Sequence, residues 1–416
     1  MRKWKTVLSG VIVIGGLFIA RTGYTVTIPA QSAARGDVQS AVNSAVSGDI
    51  VLVPAGTATW TEAVTIPSTK KITLQGAGMG VTKINRSPQG TAVDLLMSGS
   101  RLTGFSFTEG VIVVDGDGWR IDHCELVFAA FTSGIRVSGS REDQHPVGVI
   151  DRCVCTNMRV SVHGWNGLLA HKIWAQPLAL GTNNAVFVED NIFTGTVHSN
   201  AMDGNYGCRY VFRYNTLNDI YVEAHSVQGT HRAARSWEIY HNTFNQANRA
   251  MWVPMLLRGG TGVVFDNTLT GSWSLPAIAI DNVRSYDARG DGGLADGTSP
   301  WDGNTEPIEV YRGYPARDQI GRSTDQWVWT SINPYPPQAH EPAYCWNNKL
   351  GSNDVVFYVH NGPDVERHIQ PNRDYYDNVQ KPGYSPYAYP HPLVVEWDGV
   401  GIGGIPSTPT GLHIAN

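Results

Sequence analysis

One motif returns six times along this chain: an apolar residue, two variable residues, an Asn or Cys, one more residue, and a second apolar residue. The copies are Ile121 to Leu126, Ile150 to Cys155, Val188 to Phe193, Phe212 to Leu217, Ile239 to Phe244 and Val264 to Leu269. Their Asn or Cys positions (124, 153, 191, 215, 242 and 267) lie 29, 38, 24, 27 and 25 residues apart. A period of that size is the mark of a solenoid, with the longer intervals carrying loop insertions. Each copy pairs β-branched and aromatic residues in alternation with Gly or Asn punctuation, which is strand and turn chemistry.

An Asn at a fixed place in every coil is expected at a bend. Its amide hydrogen-bonds nearby backbone, tolerates left-handed dihedrals, and can donate from coil to coil when copies stack. Cys124 and Cys153 hold the same place and read as small buried members of that stack. The period therefore predicts an all-β fold, a parallel β-helix. At its start, Val38, Ala41, Val42, Ala45 and Val46 fall on one helical face, with Asp37 as the expected N-cap and Gly48 just past the end. Such a helix would cover the open end of the solenoid and its unpaired edges.

The segments Asp37 to Val46, Gly48 to Gly56 and Ile72 to Gly78 resemble the N-terminal cap and first coils of the pectin-lyase-like superfamily. The resemblance spans roughly residues 25 to 285 and implies a right-handed parallel β-helix. It leaves the chemistry open, since that superfamily includes polysaccharide lyases, hydrolases, epimerases and phage tail-spikes.

The chain divides into a signal peptide or membrane anchor (1–23), a cap and first strand (24–56), β-helix coils (57–285), an irregular loop insertion (286–341), and last coils with a tail (342–416). A seventh copy of the motif, Cys345 to Leu350, falls in that last part. Arg2, Lys3 and Lys5 ahead of the apolar stretch Val7 to Ala20 predict export to a secreted or cell-surface location. Any membrane contact would run through this segment alone, if it is not cleaved. Lys and Arg total 31 against 36 Asp and Glu, and without a basic run the chain is not expected to bind nucleic acid. Five Cys cannot all pair within one chain, and no zinc-ligand spacing occurs.

If the motif marks one bend, the strand after it begins the next sheet. The segments Ile135–Val137, Val160–His163, Ala201–Asp203, Tyr221–His225, Met255–Arg258 and Ala277–Asp281 are then stacked strands. Placing small and aliphatic residues inward leaves Arg136, Ser161, His163, Asp203, Tyr221, Glu223, His225, Arg258 and Asp281 on one outer face. The richest stretch runs from Glu223 to Arg235 and includes His225, His231 and Arg232.

The run Arg209 to Thr216, with His231-Arg232 and Asn242-Thr-Phe244, is similar to a region of chondroitinase B and alginate lyases. That resemblance implies β-elimination beside a uronate carboxylate neutralised by Ca²⁺. Arg232 or Arg235 would hold the basic place, and Asp203 with Glu223 the acidic place. Asp203 to Arg209 stands where a companion lysine belongs in that family. A second likeness, Trp119 to Cys124 with the Trp-x-Asp-His segment of pectate lyases, coincides with the repeat and reads as structural. The Asn-Thr-Asp and Asp-Asp pairs of polygalacturonase-type hydrolases are absent.

Chemically, His225 or His231 is an easier base than an arginine, and Tyr221 could return the proton. Asp203, Glu223 and Asn205 could supply oxygens to Ca²⁺. Arg136, His163, Arg258 and Asp281 would extend the row as substrate contacts. The expected function is an exported lyase acting on an acidic, uronate-containing polysaccharide. A non-catalytic glycan-binding or adhesive β-helix, such as a surface protein or phage tail-spike, is the competing reading, and a glycoside hydrolase the third. The 13 Trp and 17 Tyr suit sugar faces in any of them.

Overall fold

A computed structural model of the 416-residue chain describes residues 25–165, 171–174, 176–226, 232–281, 318–323, 339–360 and 363–399. The segment 1–23 expected to be a signal peptide or anchor, His231 and most of residues 286–341 lie outside these residues.

The strands wind into a parallel β-helix. One wall is a sheet of twelve strands running from Thr27–Pro29 to Tyr375–Asp377, nearly all paired parallel to the next strand one coil on. The rest of the coil forms a second, continuous system. In the early coils it consists of long strands that bend at register shifts, such as Thr82–Leu95 and Glu125–Ser138. In later coils each long strand breaks into two short ones, as in Thr216–Asn218 followed by Tyr221–Ala224. One large apolar core fills the coils from the cap to the last turn, and all five cysteines are buried and unpaired.

The repeat residues form a ladder at the corner. The backbone N–H of Cys153, Asn191, Asn215, Asn242 and Asn267 each donates to the side-chain Oδ1 of the next coil's Asn, at 2.9 to 3.2 Å. The Nδ2 of Asn191, Asn215, Asn242 and Asn267 reaches the same oxygen. Asn348 closes the ladder, so the seventh copy is a true coil. The left-handed residue is not the Asn, as the sequence suggested, but the one before it: His123, Arg152, Asp190, Tyr214, His241, Asp266 and Asn347 all have φ between 49° and 58°. Turning the backbone one residue earlier aims the Asn amide along the solenoid axis, where its hydrogen bonds recur.

The cap helix spans Arg35–Ser44 and buries Val38, Ala41 and Val42. Ala34, not Asp37, is the N-cap residue, and the Asp37 carboxylate instead accepts the Ser32 hydroxyl at 2.5 Å. Because the helix ends at Ser44, Val46 leaves the apolar face and is 47% exposed.

The outer face of the twelve-stranded sheet is covered by the chain's own tail. Arg213 donates to the carbonyls of Tyr387 and Ala388, both at 2.8 Å, and His391 N–H donates to Glu189. Beneath this strap, Arg101 and Arg120 are fully buried against Asp122 and Asp151. The Trp119 to Cys124 segment, which resembles pectate lyases, is thus structural: Asp122 is spent in that ion-pair network.

Candidate functional site

The strand register builds the row that alternation predicts. Arg136 opposes Ser161, Ser161 opposes Asp203, and Asp203 opposes Glu223 in successive coils. Two residues on, His163 opposes Asn205. His225, Arg258 and Asp281 continue that second line, each donating its backbone N–H to the coil before. Strands in a sheet stand about 4.8 Å apart, so side chains from three coils can meet.

They meet at Asp203, Glu223 and His225. His225 Nδ1 lies 2.5 Å from Asp203 Oδ1 and 3.9 Å from Glu223 Oε1. Arg159 binds the other Asp203 oxygen at 2.8 Å, and Arg258 binds Glu223 Oε1. Glu223 Oε2 accepts from Asn200 Nδ2 at 2.5 Å and from the Tyr221 hydroxyl at 3.3 Å. The row thus carries two carboxylates, two guanidiniums, an imidazole and a phenol in one connected network.

Gly204 makes this possible from below. A Cβ there would stand 2.8 Å from Cys208 Sγ and from the Tyr210 ring. Its absence lets Tyr210 pack beneath the row and donate its hydroxyl to the Glu223 carbonyl at 3.2 Å.

Electrostatics follow from this packing. Burial pushes the Asp203 carboxyl up, but the charge and hydrogen bond of His225, with Arg159 and Arg258, outweigh it and hold the group below the usual carboxylate range. Burial raises the Tyr221 phenol above its ordinary value despite nearby Arg258, so it stays protonated at neutral pH.

Several expected members stand elsewhere. Arg232 and Arg235 are 1% and 2% exposed and leave the row entirely, because residues 232–235 fold inward: Ala234 N–H donates to His225 O and Arg235 N–H to Cys208 O. Arg232 pairs with Asp318, Arg235 with Glu341, and both lie over the Trp174 ring. They hold the insertion to the coil and cannot serve as the basic group. His231 is outside the described residues. Asn205 is in the second line, but its Oδ1 accepts the Tyr206 N–H at 2.9 Å and it takes no part in the cluster. Asp281 is buried with His360 at 3.6 Å. His163 packs its ring on Tyr206, and Arg136 is exposed two coils before Glu223's neighbour Asp203.

Arg159 and Asn200 escaped sequence reasoning. Both sit just before the short strands read from the sequence; a register shift follows Asn200 in its own strand, while the one beside Arg159 lies in the partner strand. Stepping back two residues from Ser161 reaches Arg159 on the same face. No comparable signal marks Asn200.

The ligand atoms of Asp203, Glu223 and His225 lie within 4.8 Å of one another, close enough to share a metal ion. The donor set nevertheless does not fit the expected Ca²⁺, which takes six to eight oxygens. One of the three groups is an imidazole, both carboxylates are already neutralised by arginines, and the Asn205 Oδ1 is taken by the Tyr206 N–H.

No family model matches the chain, and no curated protein matches it. Among solved structures, the chain is similar to an alginate lyase from Paenibacillus sp. str. FPU-7, with 13% identity and a TM-score of 0.47 over 81% of this chain and 99% of that one. It is also similar to a PL6 family alginate lyase, AlyGC, in an arginine-to-alanine variant. There the identity is 11% and the TM-score 0.23, over 80% of this chain and 67% of that one. The parallel β-helix itself rests on the strand register described above.

Proposed function

We infer that this protein is an exported polysaccharide lyase that cleaves an acidic, uronate-containing polymer by β-elimination at the Asp203–Glu223–His225 row. The observation that carries the reading is the His225–Asp203 contact at 2.5 Å on a row flanked by two arginines, where Asp203, Glu223 and His225 are buried at 4%, 6% and 7% exposure. A hydrogen bond from Nδ1–H to Asp203 leaves Nε2 to carry the lone pair whenever the ring is neutral, the arrangement of an oriented general base.

In this reading His225 takes the C5 proton of the uronate. Arg258 and Arg159, as fixed positive charges, stabilise the negative charge that develops on the neighbouring carboxylate. The C5–H electrons form the C4–C5 double bond as the C4–O4 bond breaks, and Tyr221 protonates the departing oxygen. The Asn200 Oδ1 is buried without a partner and offers an acceptor to a sugar hydroxyl. Guanidiniums take the place that Ca²⁺ was expected to fill, and no step passes through a metal.

The structure does bring two carboxylates together, which a hydrolase requires. Hydrolysis also needs one of them protonated as the acid. Asp203 is held ionised and Glu223 is ion-paired, so elimination is favoured. The N-terminal charged and apolar segment supports export, which a fractionation of expressing cells would test.

The purified protein should be incubated with pectate, alginate, glucuronan and glycosaminoglycans while the absorbance of unsaturated uronate ends is recorded. A rise on one of them is expected, and it should vanish in His225→Asn. New reducing ends without that absorbance would make the enzyme a hydrolase. Saturable binding without product would make the row a recognition surface.

A further inference from the structure

Away from the row, the inward placement of residues 232–235 leaves a buried group of positive charges. Arg235 Nε donates to the Trp174 carbonyl at 3.0 Å, and Arg209 Nη2 donates to the carbonyls of Gln176, at 3.1 Å, and Pro177. One short segment therefore grips both guanidiniums. Their backbones are neighbours as well, since Arg209 opposes Ser236 and Arg235 N–H donates to Cys208 O at 2.8 Å. The Trp174 ring lies 5.3 Å from the Arg235 guanidinium and 4.6 Å from that of Arg232.

Ion pairing is incomplete. Arg232 is matched by Asp318 and Arg235 by Glu341, while Arg209, 1% exposed, has two carbonyls, no carboxylate within ion-pair distance among the described residues, and only the longer-range charges of Glu341 and Glu238. Four donors here are buried without a partner among the described residues: Arg209 Nε and Nη1, Arg235 Nη1 and Trp174 Nε1. A buried guanidinium left unpaired is costly, and orphaned buried donors call for an unseen water or ion. Burial first, then the charge of Arg235, pulls Arg209 down to about 9, so it keeps its charge at neutral pH. Nearby His145 is held well below its ordinary value by burial and by the same two arginines.

We propose that a small oxyanion of the sulfate or phosphate class binds between Arg209 and Arg235, accepting hydrogen bonds from these four donors. Water could accept some of them, but it would leave Arg209 without an ion-pair partner. An oxyanion supplies both the acceptors and the charge. Glu341, whose side chain is 26% exposed, borders the site and marks the side from which an ion enters.

Thermal unfolding of the full chain, titrated with sulfate or phosphate against chloride at matched ionic strength, tests this. A saturable rise in Tm is expected for the oxyanions alone. Arg209→Gln should weaken half-saturation by at least about tenfold, and Glu341→Gln, which removes a competing carboxylate, should tighten it by about tenfold. No rise beyond chloride, or an undiminished rise in Arg209→Gln, overturns the proposal. If Arg209→Gln does not fold, crystals of the wild-type protein soaked in selenate decide: an anomalous peak between Arg209 and Arg235 supports the site, and its absence refutes it.

Discussion

Replacing Asn215 by alanine tests the physical basis of the solenoid. Asn215 Oδ1 accepts the backbone N–H of Asn191 at 3.0 Å and its Nδ2 at 3.0 Å, while Asn215 Nδ2 donates to Val188 O at 2.9 Å and Asn242 Oδ1 at 3.1 Å. In Asn215→Ala the buried Asn191 N–H loses its acceptor, although Asn191 Nδ2 keeps Ile150 O and Glu189 O. One orphaned backbone donor costs about 1–3 kcal/mol, and the lost bond to Val188 adds about 1, so the variant should lose roughly 2–4 kcal/mol. Asn245→Ala is the control. Its amide bridges Asn218 and Thr270 at a wetter corner, where water replaces the lost partners, and should cost less than about 1 kcal/mol. Chemical denaturation of both variants measures the difference. Equal losses, or a loss below about 0.5 kcal/mol for Asn215→Ala, would refute the ladder as a source of stability. Because the Asn215 coil lies between the strands bearing Asp203 and Glu223, the same variant should also lower lyase activity.

Four further outcomes follow from the structure. Asp203→Asn should leave folding intact and reduce turnover by about 10²–10⁴-fold, read from initial rates, because the imidazole loses its orienting charge; a near-normal rate would remove His225 as base. Chelator treatment should change neither Tm nor rate, and a loss of either that Ca²⁺ restores would reinstate a metal at Asp203 and Glu223. Arg232→Ala should destabilise by about 3–5 kcal/mol by stranding the buried Asp318 charge; a stable variant that has lost only its activity would return Arg232 to the site. His391, which anchors the tail strap, is pushed down to about 4 by burial and then by Arg213 and Arg120. Its folded-state pKa is below the unfolded value, so its neutral form stabilises the fold at pH 7. That contribution, roughly 3 kcal/mol, is lost as pH falls from about 6.5 towards 4. The pH dependence of Tm in that window should flatten in His391→Gln.

What the sequence determined by itself was the winding. The repeated Asn and Cys positions mark coils because a ladder needs the same side chain at the same place each turn, and the alternation around Asp203, Glu223 and His225 puts them on one face because strand side chains alternate. Local pattern carries that information, since every relevant contact is either within a strand or one coil away. Tertiary structure alone decided where the charges end. Arg232 and Arg235 look like ideal site residues in the sequence, yet they meet acids some 86 and 106 residues on and turn inward to do so. Arg159 lies on the face that alternation gives it, but whether it would meet Asp203 or another acid only the packing of the coils decided. The poor fit of the cluster to Ca²⁺ rests on ion pairs formed between coils, and only the packing left Arg209 without such a pair. Long-range electrostatic pairing leaves no periodic trace in a chain, so a sequence can place a carboxylate on a wall without revealing which cation stands beside it.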